Sequence, residues 1–227
     1  MFKGTITNII DETAWVRRFF VKTDGGAFLF EPGQFVTVLL PDGVERSYSI
    51  AAAMNEGNGF ELCIVLNRQG KATPQLWQLK TGDELFFRGP LGDFILREPA
   101  ACDYAFVCTG TGVAPFRPML QSLMNEGSER NLYLIFGART EADLLYRREF
   151  EAWQQNHERF YYLPVLSREK WEGRRGYVHG VYEELFADKR DARFYVCGWQ
   201  VMCKEARMRL KQMGYNRRQY FFEEYDG

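Results

Sequence analysis

"CTGTGVAPF", residues 108–116, decides how the second half of this chain is read. The apolar run "DYAFVCTG" (103–110) leads into it, and the helix-forming stretch "APFRPMLQSLMNEG" (114–127) leads out. A buried strand, a glycine turn and a helix in that order make the first half of a parallel-sheet unit. Glycines at 110 and 112 let backbone amides approach a ligand closely, and the N-terminus of the following helix attracts phosphate through unpaired N–H groups. A pyrophosphate fits such a loop. The match to the dinucleotide fingerprint GxGxxG is incomplete, because Pro115 stands where the third glycine would be, so a turn needed only for chain geometry accounts for the loop equally well.

Downstream the same rhythm continues. "NLYLIFGA" (131–138), "YYLPVLS" (161–167) and "ARFYVCG" (192–198) read as strands, while "LYRREFEAWQQNHERF" (145–160), "VYEELFAD" (181–188) and "QVMCKEARMRLKQMG" (200–214) read as helices. Alternation of this kind predicts a parallel sheet covered by helices. Upstream the texture is different. "GTITNII", "WVRRFFVKT", "QFVTVLL", "RSYSIA", "FELCIVLN" and "DELFFRGP" are short β-branched or aromatic runs, separated by "DGG", "PDG", "EGNG" and "TGD". That pattern predicts an antiparallel barrel or sandwich. Within it, "KATPQLWQLKTG" (71–82) predicts a short helix capped by Thr73 with Pro74 at its first position. The two textures divide the chain into domains 1–99 and 100–227, with a hinge at "REPAA" (97–101).

Composition excludes several classes. With 227 residues, 46% hydrophobic and 16% aromatic, the chain can bury a sizeable core. The formal net charge of −1 provides no global field for nucleic acid or an anionic membrane. No run of about 18 apolar residues and no leader-like N-terminus is found, so a cytoplasmic location is expected. Five scattered cysteines (Cys63, Cys102, Cys108, Cys197, Cys203) lack the spacing of a disulfide framework, a zinc site or an iron–sulfur cluster, and no bound metal is expected.

A second stretch, "ERSYSIAAA" (45–53), interrupts a strand with polar groups. Arg46 and Tyr48, two apart, project to one face, where a guanidinium would grip a phosphate and a phenol ring would stack on a planar group. A surface arginine beside a half-buried tyrosine is the plainer account. Gly70 and Thr73 in "RQGKATPQ" offer a second glycine-opened helix start, which as a bare cap needs no ligand.

Taken together, "RSYS" (46–49), "GKAT" (70–73), "GPLGDF" (89–94), "GTGVAPF" (110–116), "FGARTEADLLYRREF" (136–150) and "YVCG" (195–198) occur in the same order as in the ferredoxin–NADP⁺ reductase superfamily, which the whole chain resembles. The resemblance implies an N-terminal antiparallel Greek-key β-barrel for FAD and a C-terminal Rossmann-like α/β domain for NADP(H). It implies that Arg46 and Ser47 hold the flavin phosphates, that Tyr48 packs on the isoalloxazine, and that Ser49 hydrogen-bonds near flavin N5. Strict alternation turns Ser49 away from the face of Tyr48, so the strand is expected to end or bulge there. Gly70, Lys71, Ala72 and Thr73 resemble a second pyrophosphate site, which favours FAD over FMN. Gly110, Thr111, Gly112 and Pro115 resemble the nicotinamide dinucleotide loop, with Thr111 also near the flavin. Cys197 and Gly198 match the family pair in which the cysteine lies near the reacting nicotinamide carbon. A buried strand-end thiol is the alternative for Cys197.

The choice between nicotinamides turns on a 2′-phosphate. Ser167 and Arg168, with Arg174, Arg175 and Tyr177 behind them and Arg139 after "FGA", resemble the NADP-selective members; a solvated basic loop diluted by Glu169 and Glu172 is the alternative. At the C-terminus Glu223 and Tyr225 match an E-x-Y arrangement, but Asp226 and Gly227 follow, so Tyr225 either shields the flavin or merely packs. Glu223 is a candidate for proton relay or nicotinamide positioning, and an exposed carboxylate in an acidic tail is the alternative. The expected activity is electron transfer between NADP(H) and a separate ferredoxin or flavodoxin, with the basic stretch Lys204–Gln219 as a docking candidate, which an amphipathic helix with a solvated basic face explains just as well. Reductase components of oxygenases, free-flavin reductases and electron-transfer subunits of larger complexes share the pattern.

Overall fold

The computed structural model describes residues 1–54, 57–97 and 102–225. Of the predicted hinge, residues 98–101 lie outside the described residues, as do Asp226 and Gly227 of the tail. Two compact units emerge: Met1–Leu96 with Ala114–Ser122, and Arg97–Val113 with Leu123–Gly227.

In the first unit, period-two patterning closes a barrel. Its strands are β1 (Phe2–Asp11), β2 (Val16–Thr23), β3 (Phe35–Leu39), β4 (Glu45–Ala53), β5 (Gly59–Val65) and β6 (Glu84–Leu91). They pair antiparallel in the order β1-β2-β5-β4-β3-β6 and then back to β1, which removes the open edges that would invite aggregation. In β6, Leu85 and Phe87 point inward while Glu84 and Phe86 face outward. Phe87 is the hub of the core: its ring lies edge-on to Phe60 at 4.9 Å and to Phe28 at 5.6 Å.

The short helix α1 (Thr73–Leu76) corrects one expectation. Its cap is Ala72, not Thr73, and no side chain caps it. The Thr73 hydroxyl is instead engaged within its own loop, donating to the Asn67 carbonyl and accepting from the Asn67 amide, both at 2.9 Å. The loop closes on itself before it can offer that oxygen to the helix.

The second unit is a six-stranded parallel sheet. Its strands are β7 (Asp103–Thr109), β8 (Leu132–Ala138), β9 (Phe160–Leu166), β10 (Arg174–Arg175), β11 (Ala192–Trp199) and β12 (Tyr220–Tyr225), ordered β10-β9-β8-β7-β11-β12. Helices α3 (Arg147–Asn156), α4 (Val178–Leu185) and α5 (Gln200–Gln212) belong to this unit, and α2 (Phe116–Asn125) follows β7. Residues Tyr104–Cys108 are all buried, as a strand covered on both faces requires. The chain leaves β7 toward β8 on one side and later returns to its other side with β11, so the carboxyl ends of β7 and β11 flank the topological switch point.

Helix α2 starts at Phe116, later than the predicted Ala114, because Gly110–Val113 wind into one 3₁₀ turn first. It ends where predicted: the Gly127 N–H donates to Met124 and the Ser128 N–H to Leu123, with Gly127 at φ 69°. β12 and β10 were not anticipated. The "FFEEY" segment read as an acidic tail is an edge strand, and its aromatic run was the available signal.

Phe87→Ala is expected to destabilise the protein by about 3–5 kcal/mol, the cost of an unfilled aromatic cavity. Urea denaturation of the two proteins side by side measures it.

Candidate functional site

The polar half of β4 pairs with β3 without interruption, Phe35 with Ser49, Val36 with Tyr48, Thr37 with Ser47 and Val38 with Arg46. Directly paired residues share a face. Arg46 and Tyr48 therefore stand on the face of the buried Val36 and Val38, and Ser47 and Ser49 on the other, where Ser47 and Thr37 join their hydroxyls at 3.0 Å. The expected break in the strand is displaced: the register against β5 shifts between Ile50 and Ala52, beyond Ser49. Tyr48 and Ser49 consequently keep opposite faces.

Arg46 is exposed, donating from Nη1 to the Glu45 carbonyl at 2.7 Å, and Tyr48 packs against the barrel core. Burial pushes the Tyr48 hydroxyl up to about 12 despite the nearby Arg46 charge, so the ring stays neutral. In the 70–73 loop Lys71 is exposed, and the backbone ladder of α1 begins with the Gln75 N–H donating to Ala72. The amides of Ala72 and Thr73 thus precede the ladder. One exposed guanidinium, one exposed ammonium and amides ahead of a helix are the donor set a dianionic pyrophosphate needs, and the half-buried phenol suits a flat ring.

At the switch point of the second unit the glycines have separate reasons. Gly110 sits at φ 53° with open space where a side chain would project. Gly112 lies flat on the end of β11: a Cβ there would come within 2.3 Å of the Cys197 carbonyl oxygen. Gly198, at φ 148°, would place a Cβ 2.5 Å from Thr109 Oγ1. That hydroxyl is buried and has no hydrogen-bond partner, at the carboxyl end of β7. Thr111 lies half-buried in the 3₁₀ turn, and Pro115 is buried. An open left-handed glycine, a closely approached strand end and an orphaned hydroxyl fit a dinucleotide backbone at this point.

Cys197 is wholly buried and its thiol donates to Glu223 Oε2 at 3.8 Å. Burial, reinforced by the Glu223 carboxylate, pushes the thiol well above its ordinary value, so it is a neutral S–H across the working pH range. Glu223 pairs with Cys197 in register across β11 and β12, and Tyr225 Oη donates to the same Oε2 at 3.3 Å. Thiol, carboxylate and phenol form one cluster, built by the edge strand that sequence patterning missed.

The third group lies at the carboxyl ends of β8, β9 and β10. The Ser167 N–H donates to Ala138 and the Arg168 N–H to Arg139, both at 3.0 Å, which brings Arg139, Ser167 and Arg168 together. Arg175 is in register with Leu166, and Tyr177 is 74% exposed. Arg174 is held differently: it grips Glu184 through two hydrogen bonds of 2.7 and 3.0 Å. Glu169, the acidic residue beside Arg168, accepts from the Glu141 amide at 2.6 Å.

Alanine at the two loop glycines separates their reasons. Gly110→Ala meets only the cost of a left-handed residue, about 1–2 kcal/mol. Gly112→Ala drives a methyl into fixed backbone, so it should lose more stability and abolish nicotinamide dinucleotide binding; thermal melts and calorimetric titration with NADP⁺ check both.

Residues 4–95 match the oxidoreductase FAD-binding domain model and residues 106–208 the oxidoreductase NAD-binding domain model. The chain is 36% identical over 219 residues to ferredoxin–NADP reductase B of Sorangium cellulosum, covering 91% of this chain and 90% of that protein. It is 30% identical over 236 residues to the reductase component of phenol 2-monooxygenase from a Pseudomonas species, of whose length it spans 65%. A ferredoxin NADP⁺ reductase from Neisseria gonorrhoeae, solved with bound FAD and NADP, superposes with a TM-score of 0.86 at 21% identity, covering 98% of this chain and 97% of that one. The barrel, the switch-point loop and these matches agree: the chain belongs to the ferredoxin–NADP⁺ reductase superfamily and is an FAD-dependent oxidoreductase with a nicotinamide-dinucleotide-binding domain.

Proposed function

We propose that this protein passes electrons between NADP(H) and a separate one-electron carrier protein, a ferredoxin or flavodoxin, through FAD. The observation that carries the choice of nicotinamide is the gathering of Arg139, Ser167, Arg168 and Arg175 at the ends of β8, β9 and β10. Three guanidiniums and a hydroxyl suit a 2′-phosphate, which forms charge-assisted hydrogen bonds with such donors. Arg174 contributes by holding Glu184 and so tying β10 to α4; its role is to support the binding group. Tyr177, exposed at the start of α4, supplies a ring face for the adenine.

In this reading residues 1–99 form the FAD domain and residues 100–227 the NADP domain. Bound FAD supplies two-electron hydride chemistry on one side and single-electron transfer on the other. Arg46, Lys71 and the amides of Ala72 and Thr73 hold its pyrophosphate, assisted by Ser47 and Gly70. Tyr48 packs on the ring and Ser49 donates a hydrogen bond near N5. Gly110, Gly112 and Pro115 shape the loop for the nicotinamide dinucleotide. Gly198 admits the nicotinamide closely, and the neutral Cys197 thiol lines its position without competing as a nucleophile. Glu223, oriented by Cys197 and Tyr225, positions the carboxamide or relays a proton.

The carrier reading draws on α5 and the loop after it. Residues Lys204–Gln219 hold six cationic side chains and one acidic side chain, and Glu205 of that stretch is occupied by His179. Arg209 is paired with Glu183 and the exposed Arg207 with Glu224, while Lys204, Lys211, Arg217 and Arg218 are exposed. A recess of about 250 Å³ lined by Arg207, Arg217, Tyr220 and Phe222 opens beside them. Such a surface suits an acidic protein. No group of three or more His, Cys, Asp or Glu among the described residues is placed to hold a metal ion, and no described helix is long and apolar enough to cross a membrane. The 30% identity to an oxygenase reductase component supports a second reading, an oxygenase as the electron acceptor.

Arg168→Ala is expected to raise KM for NADPH about tenfold, the size of one charged hydrogen bond, while KM for NADH changes little. Equal losses for both would remove the NADP assignment. Raising salt from 50 to 300 mM should slow reduction of ferredoxin or flavodoxin far more than reduction of a neutral dye, and equal salt responses would remove the docking face. A panel of carriers and oxygenase components, assayed under one condition, separates the two acceptors.

A further inference from the structure

The shift in β4 carries a device outside the reading above. Between Ile50, opposite Leu62, and Ala52, opposite Glu61, the residue Ala51 has no partner in β5. A bulge of this kind leaves backbone groups without their ladder bonds. Ala51 is fully buried, yet its carbonyl is satisfied: Arg117 Nη1 donates to it at 3.1 Å. The same Nη1 donates to Glu61 Oε2 at 3.1 Å. Glu61, 2% exposed, is gripped from the other side by Arg18, whose Nε meets Oε1 at 2.6 Å and Nη2 meets Oε2 at 3.0 Å.

Arg18 alone therefore engages both oxygens of the buried carboxylate. What Arg117 adds is the reach to Ala51. Arg117 lies in α2, and residues Ala114–Ser122 are part of the same compact unit as the barrel. Their seat is tight: Gly33, just ahead of β3, has no room for a Cβ because Met119 Cε and the Phe94 carbonyl oxygen would lie within 2.3 Å and 2.0 Å of it. Three residues separate Val113, the end of the glycine loop, from Arg117, and one separates Ala51 from Ser49.

We propose that Arg117 is a positioning residue for the flavin strand: its guanidinium staples the bulge across β4 and β5, and thereby sets where Tyr48 and Ser49 are held. The inference rests on the reading that β4 carries the flavin. Without the staple, the buried Ala51 carbonyl loses its Arg117 donor, and the end of β4 relaxes toward regular pairing. A one-residue change of register would move side chains to the opposite face.

The test compares wild-type protein with Arg117→Met, which keeps the aliphatic stem. Both are stripped of flavin and titrated with FAD by fluorescence, the visible circular dichroism of the bound flavin is recorded, and apoprotein melts are run alongside. The expected result is an FAD Kd raised about tenfold with an altered flavin dichroism, and recovery of most of the affinity in Arg117→Lys. A folded Arg117→Met protein with wild-type Kd and dichroism overturns the proposal, whatever its melting temperature, since lost packing alone would move only the melt. Should that variant not fold, Arg117→Gln, too short to span both acceptors, is judged by the same two readouts. Wild-type protein that binds no FAD overturns the flavin reading itself and is thereby told apart from failure of the staple.

Discussion

The backbone of Gly112 lies against the carbonyl of Cys197, and the second unit is organised around that contact. Parallel strands β7 and β11 run side by side, and the chain must turn at the end of β7 while leaving the end of β11 accessible. Two missing methyl groups make this possible, one at Gly112 facing Cys197 and one at Gly198 facing Thr109. With any larger residue a Cβ would stand 2.3 Å from the Cys197 carbonyl oxygen or 2.5 Å from Thr109 Oγ1, and the switch point would lose its close-packed floor. The open side of Gly110 and the orphaned Thr109 hydroxyl are left where a ligand is read to lie.

The two units solve different problems with different periodicities. The barrel hides its interior behind alternating side chains and leaves one strand, β4, to present an arginine and a phenol. The parallel sheet buries whole strands, which leaves chemistry to their carboxyl ends and following loops. Within the barrel unit the buried carboxylate of Glu61 is paired with two arginines, as a buried charge must be. Its position opposite the bulge explains why a charged residue is retained in a strand that is otherwise apolar.

Many of the candidate residues were legible because their chemistry is local. Glycines beside a helix start, a guanidinium two residues from a tyrosine and a serine–arginine pair after an apolar strand each announce themselves within a few residues. Other assignments failed for an equally physical reason. Thr73 was read as a cap because a hydroxyl precedes a proline; its loop offered Asn67 as a nearer partner. Arg174 was expected among the 2′-phosphate donors, and in the fold its guanidinium is paired with Glu184. Tyr225 was left between shielding and packing, and register with β11 set its hydroxyl on Glu223.

Sequence alone determined the two textures, the order of the nucleotide-type motifs and the membership that six ordered motifs imply, because periodicity and turn chemistry act between near neighbours. Tertiary structure decided the rest. It set the strand order that brings Thr109 beside Gly198, the edge strand that delivers Glu223 to Cys197, and the displaced bulge that Arg117 closes. Each of these joins residues far apart along the chain, and such contacts depend on how folded surfaces meet, which no local pattern encodes.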